Sequence, residues 1–384
     1  MGKRILIPYL SAGLGHMIQA QAIAHYLHRM RPDWDITIMD AARELDDALM
    51  QKTFVDAWRV FLRMPSFLSS TLFALEPLAP GLTRALNRRS FRTAVPKAAA
   101  YLAAHTPDLI MSTHWACGHL FSMAQGESRT PRIPHYYFYG ELRATYSIIN
   151  CGADLYFTLT QSIEEGLARL GVEPARMRRV PVVVDPHMVT SDVPRDVLRR
   201  GLGIPPESLA VVLSQGGEGI GRTLPFIEAF ARDVKGATLV VLTARNTELL
   251  HQIQQRVTSD SVIAMGYQED ISGIYGAADI LAGKCGTGYA MIAMATGIPL
   301  IVTHIGAPNE RENMRHIVET GHGWFCPRPR EFAEQVSMLV RDRAGCRESQ
   351  GARSTLGRSP DRRAASDREN GAEVIAAAIV DTLA

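Results

Sequence analysis

The residues with chemical potential gather around glycine. SAGLGH, residues 11–16, lies between the apolar run RILIPYL and the helical pattern MIQAQAIAHYLHRM. Glycines let the chain turn tightly and bring backbone N–H groups close to a ligand. The helix that follows aims its unpaired N–H groups back at the same spot, and His16 falls in its first turn. The spacing describes an anion cradle with a titratable group at its lip; an ordinary strand-to-helix turn is the plainer reading. Gly13 and Gly15 fill two positions of a GxGxxG fingerprint, but the third falls on Ile18. Asp40, ending the next strand, is placed as an acid for a ribose, yet the missing glycine leaves a dinucleotide site weakly supported. No GK[ST] follows, which excludes a Walker loop.

A second set opens with SQGGEGIGRTLPFIEAF, where Ser214, Gly216, Gly217, Gly219 and Gly221 precede another helical pattern. Lys284, Gly286 and Gly288 stand just before a helix expected over Tyr289–Ala295, and Asn309, Glu310 and Asn313 follow the apolar run PLIVTHI. Glycine loops cradle phosphate, while amides and carboxylates bind polyols, so the chemical sum is a nucleotide sugar. Asn309 and Glu310 equally suit the cap of the next helix. His114, His119 and His135 have no metal-ligand spacing, no GxSxG elbow occurs, and Cys117 and Cys151 read as buried small hydrophobes.

These residues need a frame to hold them. RILIPYL, DITIMD, DLIMSTH, PHYYFY, DLYFTL and MRRVPVV read as strands of a first half; AVVLSQG, ATLVVLTA, SVIAMGY, DILAGK and PLIVTHI do so for a second. Helical patterns such as Ser162–Leu170 and Leu224–Arg232 alternate with them. Fully apolar strands separated by helices call for parallel sheets covered on both faces. The break falls at 181–196, giving two α/β domains, 1–183 and 184–365, whose strands end at a ligand cleft. A last helix, 371–384, must dock, because one so short is marginal alone.

At 384 residues, 46% hydrophobic and 21% charged, the chain is that of a globular protein with two cores. A net charge of +2 implies no general affinity for nucleic acid. Five scattered cysteines fit a reducing, cytoplasmic compartment, and no apolar run reaches the ~20 residues needed to cross a bilayer. Residues 50–97 set Trp58, Phe61, Phe67, Phe73, Leu75 and Leu78 beside Arg59, Arg63, Arg84, Arg88, Arg89, Arg92 and Lys97. That pattern suits either peripheral attachment to an anionic membrane surface or plain helices with a solvated basic face. Residues 339–372, rich in Arg, Ser, Gly and Asp, read as a mobile loop or tail.

SAGLGH, STHW, DLYFTLTQSIEEGLARLGVEPARMRRVPVVVDP, SQGGEG, GYQEDISGIYGAADILAGKCGTGYAMIAMATGIPLI and GAPNERENMRHIVETGHG occur in this order over about residues 1 to 335. Together they resemble the monogalactosyldiacylglycerol synthase and processive diacylglycerol glucosyltransferase family, which is related to the transferase that makes lipid II from lipid I. The resemblance implies a GT-B fold: two Rossmann-like domains with parallel sheets facing a central cleft, donor held mainly by the second and acceptor by the first. It implies inversion at the sugar without a metal, and a final helix crossing back to the first domain. By position, SAGLGH matches the family's GGGH-type loop, with His16 on its histidine near acceptor and diphosphate. Ser214, Gly216, Gly217 and Gly219 match the donor-domain glycine loop, and Lys284, Gly286 and Gly288 match a K-x-G-x-G stretch by the nucleotide. Asn309, Glu310 and Asn313 match a Q-E-x-x-N element that holds the sugar. In three places the chain departs from the pattern. The acid after K-x-G-x-G falls on Ile292. The Thr-Asp pair after the fourth strand is absent, leaving Glu141 nearby, and the first loop carries Ala12 and Leu14 where smaller residues are commoner.

The expected reaction moves a hexose from a nucleotide sugar, a UDP-sugar in preference, to a hydroxyl of a lipid-like, small hydrophobic or specialised-metabolite acceptor, with no other cofactor. A histidine held near or below ~6.5 by a helix N-terminus can take the acceptor's proton, and glycine-loop amides can steady the departing diphosphate. His16 is the first candidate for that base and Glu141 its rival; His16 could instead grip the diphosphate. The alternatives are a nucleotide-sugar epimerase of related architecture, a nicotinamide oxidoreductase, and a degenerate sugar-nucleotide-binding protein.

Overall fold

A strand that is apolar throughout needs cover on both faces, and β1 (Arg4–Tyr9) has it: Ile5, Leu6 and Ile7 are buried. It lies one strand in from the edge of a parallel sheet with β2 (Asp35–Asp40), β3 (Leu109–Ser112), β4 (His135–Phe138), β5 (Leu155–Thr158) and β6 (Met177–Arg179), in the order β2-β1-β3-β4-β5-β6. Ile5 stands opposite Ile36 on one side and Leu109 on the other. Helices α1 (Gly15–Met30), α2 (Ala94–His105), α3 (Trp115–Glu127) and α4 (Gln161–Arg169) belong with this sheet. The computed structural model describes residues 2–11, 15–57, 60, 89–127, 131–144, 150–216, 223–348 and 369–384.

A second parallel sheet is built the same way. Its strands are β7 (Leu209–Ser214), β8 (Ala237–Leu242), β9 (Val262–Met265), β10 (Ile280–Lys284), β11 (Leu300–His304) and β12 (Gly323–Phe325), ordered β12-β11-β10-β7-β8-β9. Between them run α5 (Arg195–Gly201), α6 (Leu224–Asp233), α7 (Thr247–Arg256), α8 (Ser272–Ala277), α9 (Thr287–Thr296) and α10 (Pro308–Glu319), with α11 (Pro329–Glu348) after β12. Two parallel sheets, each flanked by helices, make the Rossmann-like GT-B fold expected from the sequence. The eleven strands read from apolar runs are all present; β12 was not among them. Its three residues, GWF, are only partly shielded and carry too short a pattern to stand out.

The chain divides into two compact units. One comprises Met1–Asp185, Ala307–Glu312 and Glu369–Ala384; the other comprises Pro186–Gly306 and Asn313–Arg368. Each sheet reverses its strand order once, at β1/β3 and at β7/β10, and such reversals are where open α/β sheets bind ligands. In the first unit, α12 (Gly371–Leu383) packs along α1. Asn370 caps it through Ala372 N–H and donates to the Val184 carbonyl at 2.8 Å. A Cβ at Gly371 would lie 2.1 Å from the Pro181 carbonyl oxygen, so only glycine lets the helix start there. In the part of 50–97 that is described, Met50, Val55, Phe91, Ala94 and Val95 are buried in the first unit's core; residues 58–59 and 61–88, with most of the arginine-aromatic pattern, lie outside the described residues.

The tail expected from residue 339 starts later than its composition indicates. α11 continues to Glu348, because Phe332, Val336 and Leu339 recur at helical spacing on the second core and Arg343 is anchored. Its anchor is Asp279, which also holds Arg195 and Arg199. Arg343 Nη1 reaches Asp279 Oδ2 and the Ser208 carbonyl at 3.0 Å, and Arg199 donates to the Ala277 carbonyl at 3.1 Å. Asp279 accepts the Ala210 N–H at 2.9 Å, so one carboxylate ties α5 and α11 to the start of β7.

Burial works to raise the Asp279 carboxyl, but Arg195, the Ala210 N–H and Arg199 outweigh it and hold it below the ordinary 3.8. A carboxylate depressed in the folded state stabilises above its unfolded pKa and loses that contribution as pH falls through the folded one. Asp279→Asn strands the Arg199 charge, whose side chain is 7% exposed. Chemical denaturation at neutral pH should show a loss of roughly 3 kcal/mol. The gap from the parent should narrow below about pH 4, and a gap independent of pH would contradict this account.

Candidate functional site

At the β1/β3 reversal in the first unit, His16 sits partly buried in the first turn of α1. Thr113, one residue beyond β3, grips it twice: its carbonyl lies 2.7 Å from His16 Nδ1, and its hydroxyl donates to the His16 carbonyl at 3.1 Å. A carbonyl can only accept, so Nδ1 carries the proton and Nε2 keeps its lone pair. Burial pushes the imidazole below the ordinary 6.5, while the Glu141 carboxylate and the Thr113 carbonyl pull it upward. Burial is the largest of these influences. The result is a neutral imidazole with a proton-accepting nitrogen.

Glu141 follows β4 and accepts the Asn309 Nδ2–H at 3.0 Å. Asn309, in the first turn of α10, thus spends one amide hydrogen on Glu141, while its Oδ1 is buried without a partner. Gln19, one turn along α1 from His16, is 2% exposed. Its amide fills the space beside Gly140: a Cβ there would fall 2.5–2.9 Å from it. Asp40, the acid considered for a ribose, instead receives the Ser11 hydroxyl at 2.5 Å and fastens the β1 loop to β2. Gly15 is the first residue of α1; Gly13 lies outside the described residues. Cys117 and Cys151 are buried, and burial pushes the Cys151 thiol up to about 11.

At the β7/β10 reversal in the second unit, Ser214 ends β7 and its hydroxyl accepts the Gly216 N–H at 3.3 Å. Gly216 has φ +80, where a side chain would be strained, and the space beside it is bounded by Lys284 Cε. Gly283 is more constrained still: a Cβ there would sit 1.8 Å from the Ser214 carbonyl oxygen. The β10–β11 register shifts between Gly283 and Lys284. Gly286 precedes α9 and offers no side chain to cap it. Asn313 is fully buried and donates to the Cys285 carbonyl and to Thr287 Oγ1, holding this loop from behind. Glu310, which belongs to the first unit, is 4% exposed, while Gly217 and Gly219 lie outside the described residues. Among the described residues no group of three or more His, Cys, Asp or Glu is placed to hold a metal ion, and no helix is long and apolar enough to cross a membrane.

The family model described as Glycosyl transferases group 1 matches residues 222–342. A probable monogalactosyldiacylglycerol synthase 2, chloroplastic, of Oryza sativa subsp. japonica is 25% identical over 242 residues, 61% of this chain and 52% of its own. The chloroplastic monogalactosyldiacylglycerol synthase of Spinacia oleracea is 24% identical over 371 residues, 87% of this chain and 66% of its own. Over these spans the chain is similar to monogalactosyldiacylglycerol synthases. It spans about half to two thirds of the length of these relatives. Among solved structures, HepE of Anabaena in complex with UDP-glucose matches with TM-score 0.58 at 18% identity, covering 99% of both chains. A putative UDP-N-acetylglucosamine 2-epimerase from Listeria monocytogenes matches with TM-score 0.58 at 13% identity, covering 94% of this chain and 93% of its own. Fold alone therefore does not choose between transfer and epimerisation.

Ile292, where the resemblance implied an acid, is buried in α9. Sequence reading weighed His114 only as a metal ligand and singled out none of Thr113, Gln19, Gly140 and Gly283. STHW directly after β3 was the available signal, since β3 neighbours β1 at the reversal. His16 gives the first check on this geometry. In a histidine-resolved NMR titration its midpoint should lie below 6.5. Glu141→Gln should move it lower still, because the carboxylate is what raises it. A midpoint that stays put or rises in that variant would remove Glu141 from the electrostatics of His16.

Proposed function

We propose that the chain is an inverting, metal-independent glycosyltransferase that moves a hexose from a UDP-sugar to a hydroxyl of a lipid-like or other apolar acceptor. The observation that carries this reading is His16: a neutral imidazole, oriented by Thr113, with Nε2 as proton acceptor. In the reaction the acceptor oxygen bonds to the anomeric carbon while the bond from that carbon to the diphosphate oxygen breaks. The hydroxyl proton passes to His16 Nε2, and the negative charge leaves on the diphosphate. Gly216 and Lys284 are the groups suited to that charge, in keeping with the second unit as donor site. Glu310 supplies a carboxylate for sugar hydroxyls, and the imidazolium that forms on His16 gains from the Glu141 charge. The kinship with lipid galactosyl transferases supports the acceptor class, and the HepE complex supports the UDP-sugar.

Turnover with a panel of UDP-sugars and apolar acceptors, beside donor-only incubations, tests the reading. An altered sugar nucleotide formed without acceptor would establish epimerisation instead. His16→Ala should lower kcat by about 10²–10⁴-fold with donor affinity little changed; a rate within threefold of the parent would end its role as base. Should His16 grip the diphosphate, donor affinity falls instead. Were Glu141 the base, Glu141→Gln would be the more damaging change. Glu310→Gln should weaken donor binding roughly tenfold by calorimetry, since a hydrogen bond to a charged group exceeds its neutral counterpart by about 1–1.5 kcal/mol.

A further inference from the structure

The His16 ring rests against a second histidine that the proposed reaction leaves unused. His114 is 5% exposed and stands between the end of β3 and the start of α3. Its Nδ1 accepts the backbone N–H of Ala116, the second residue of α3, at 3.1 Å. The side chain thus does what Ser, Asp or Asn does at most helix starts. A ring nitrogen that accepts an N–H carries no proton, so His114 is the Nε2–H tautomer. His16 is the opposite one, with its proton on Nδ1 and bonded to the Thr113 carbonyl. The two rings meet edge to face, centroids 4.6 Å apart and planes at 81°. Protonating His114 would destroy its cap bond, place a cation at the positive end of α3, and set it against His16. Burial and the neighbouring His16 both hold it well below the ordinary histidine range.

We propose that His114 is the positioning residue of the His16 base: its cap bond fixes it as an uncharged ring, and that ring clamps the His16 imidazole with Nε2 free. This rests on the reading of His16 as proton acceptor. The titratable groups that face His16 are Glu141, on the segment after β4, and His114, on the segment between β3 and α3; the next turn of its own helix, Met17 to Ala20, carries no charge. Glu141 draws a proton toward His16, and the His114 ring, by excluding water, opposes it.

Two variants of the full chain separate the ring from the cap. His114→Asn keeps a good capping side chain and removes the ring; His114→Phe keeps a ring and removes the cap. Histidine-selective NMR reads the tautomer and midpoint of His16, and thermal unfolding reads the helix. In His114→Asn the melting temperature should stay near the parent's while the His16 midpoint rises toward 6.5 and its Nδ1–H signature mixes with the other tautomer. The acid limb of kcat/KM should move up with it, and donor KM should not. His114→Phe should melt lower but leave the His16 midpoint near the parent's. An unmoved midpoint and tautomer in folded His114→Asn would overturn the proposal, as would a melting loss equal to that of His114→Phe. A shifted midpoint in a protein that transfers no sugar would uphold the clamp and remove the transferase reading; transfer with an unmoved midpoint would do the reverse.

Discussion

Thr113 makes three hydrogen bonds that hold the first sheet's reversal together. Its N–H donates to the Pro8 carbonyl at 3.2 Å, its hydroxyl to the His16 carbonyl, and its own carbonyl accepts from His16 Nδ1. The first bond extends the parallel pairing of β1 and β3 past their ends; the other two seat the opening turn of α1 on that pairing. Parallel strands can do this only because both run the same way, so their carboxyl ends and the loops that follow share one edge. The imidazole tautomer is then a consequence of sheet geometry. Were the β1–β3 register to slip by one residue, the carbonyl facing His16 would be replaced by a side chain of the other face.

The second sheet solves the same problem with glycine. Two strands that part at a reversal leave space for a loop to return, and the return from β10 passes close enough to β7 that Gly283 cannot carry a Cβ. The register shift that follows turns Lys284 alongside Gly216. Asn313 then supports the turn into α9 through Cys285 and Thr287. Tyr289 pins that helix to the sheet, donating to the Val212 and Ala282 carbonyls. A helix start with no side-chain cap is thereby kept in place by bonds behind it.

Most of the frame was legible because apolar runs that need two-sided cover admit few arrangements. What escaped was short or disguised. β12 has three residues, and the end of α11 hides Leu339 and the buried end of Arg343 within an arginine-rich stretch that composition alone marks as unstructured. Of the site, His16 could be read from its place after glycine. Its partner could not, because a backbone carbonyl 97 residues away has no signature in side-chain pattern. The same holds for His114, whose capping bond runs to the backbone, and for Gly283, which lies inside an apolar run and looks like any strand residue. Asn313 was read as part of a sugar-holding element, and the structure finds it fully buried behind the loop.

The two reversals differ in the charge they welcome, and that difference follows from their residues. Around His16 stand the uncharged His114 imidazole and the Glu141 carboxylate, with no cationic group among the causes that set the His16 proton affinity. Such a place suits a neutral hydroxyl that must lose a proton, and it is hostile to a diphosphate, whose charges would meet Glu141 in a partly dry environment. Around Gly216 stand Lys284, loop N–H groups and the positive end of α9, which suit an anion and would disfavour a departing proton's cation. Proton chemistry and anion chemistry need opposite fields, and one reversal cannot supply both. That contrast is a second support, beside the geometry of His16, for proposing proton chemistry at the first reversal and anion binding at the other.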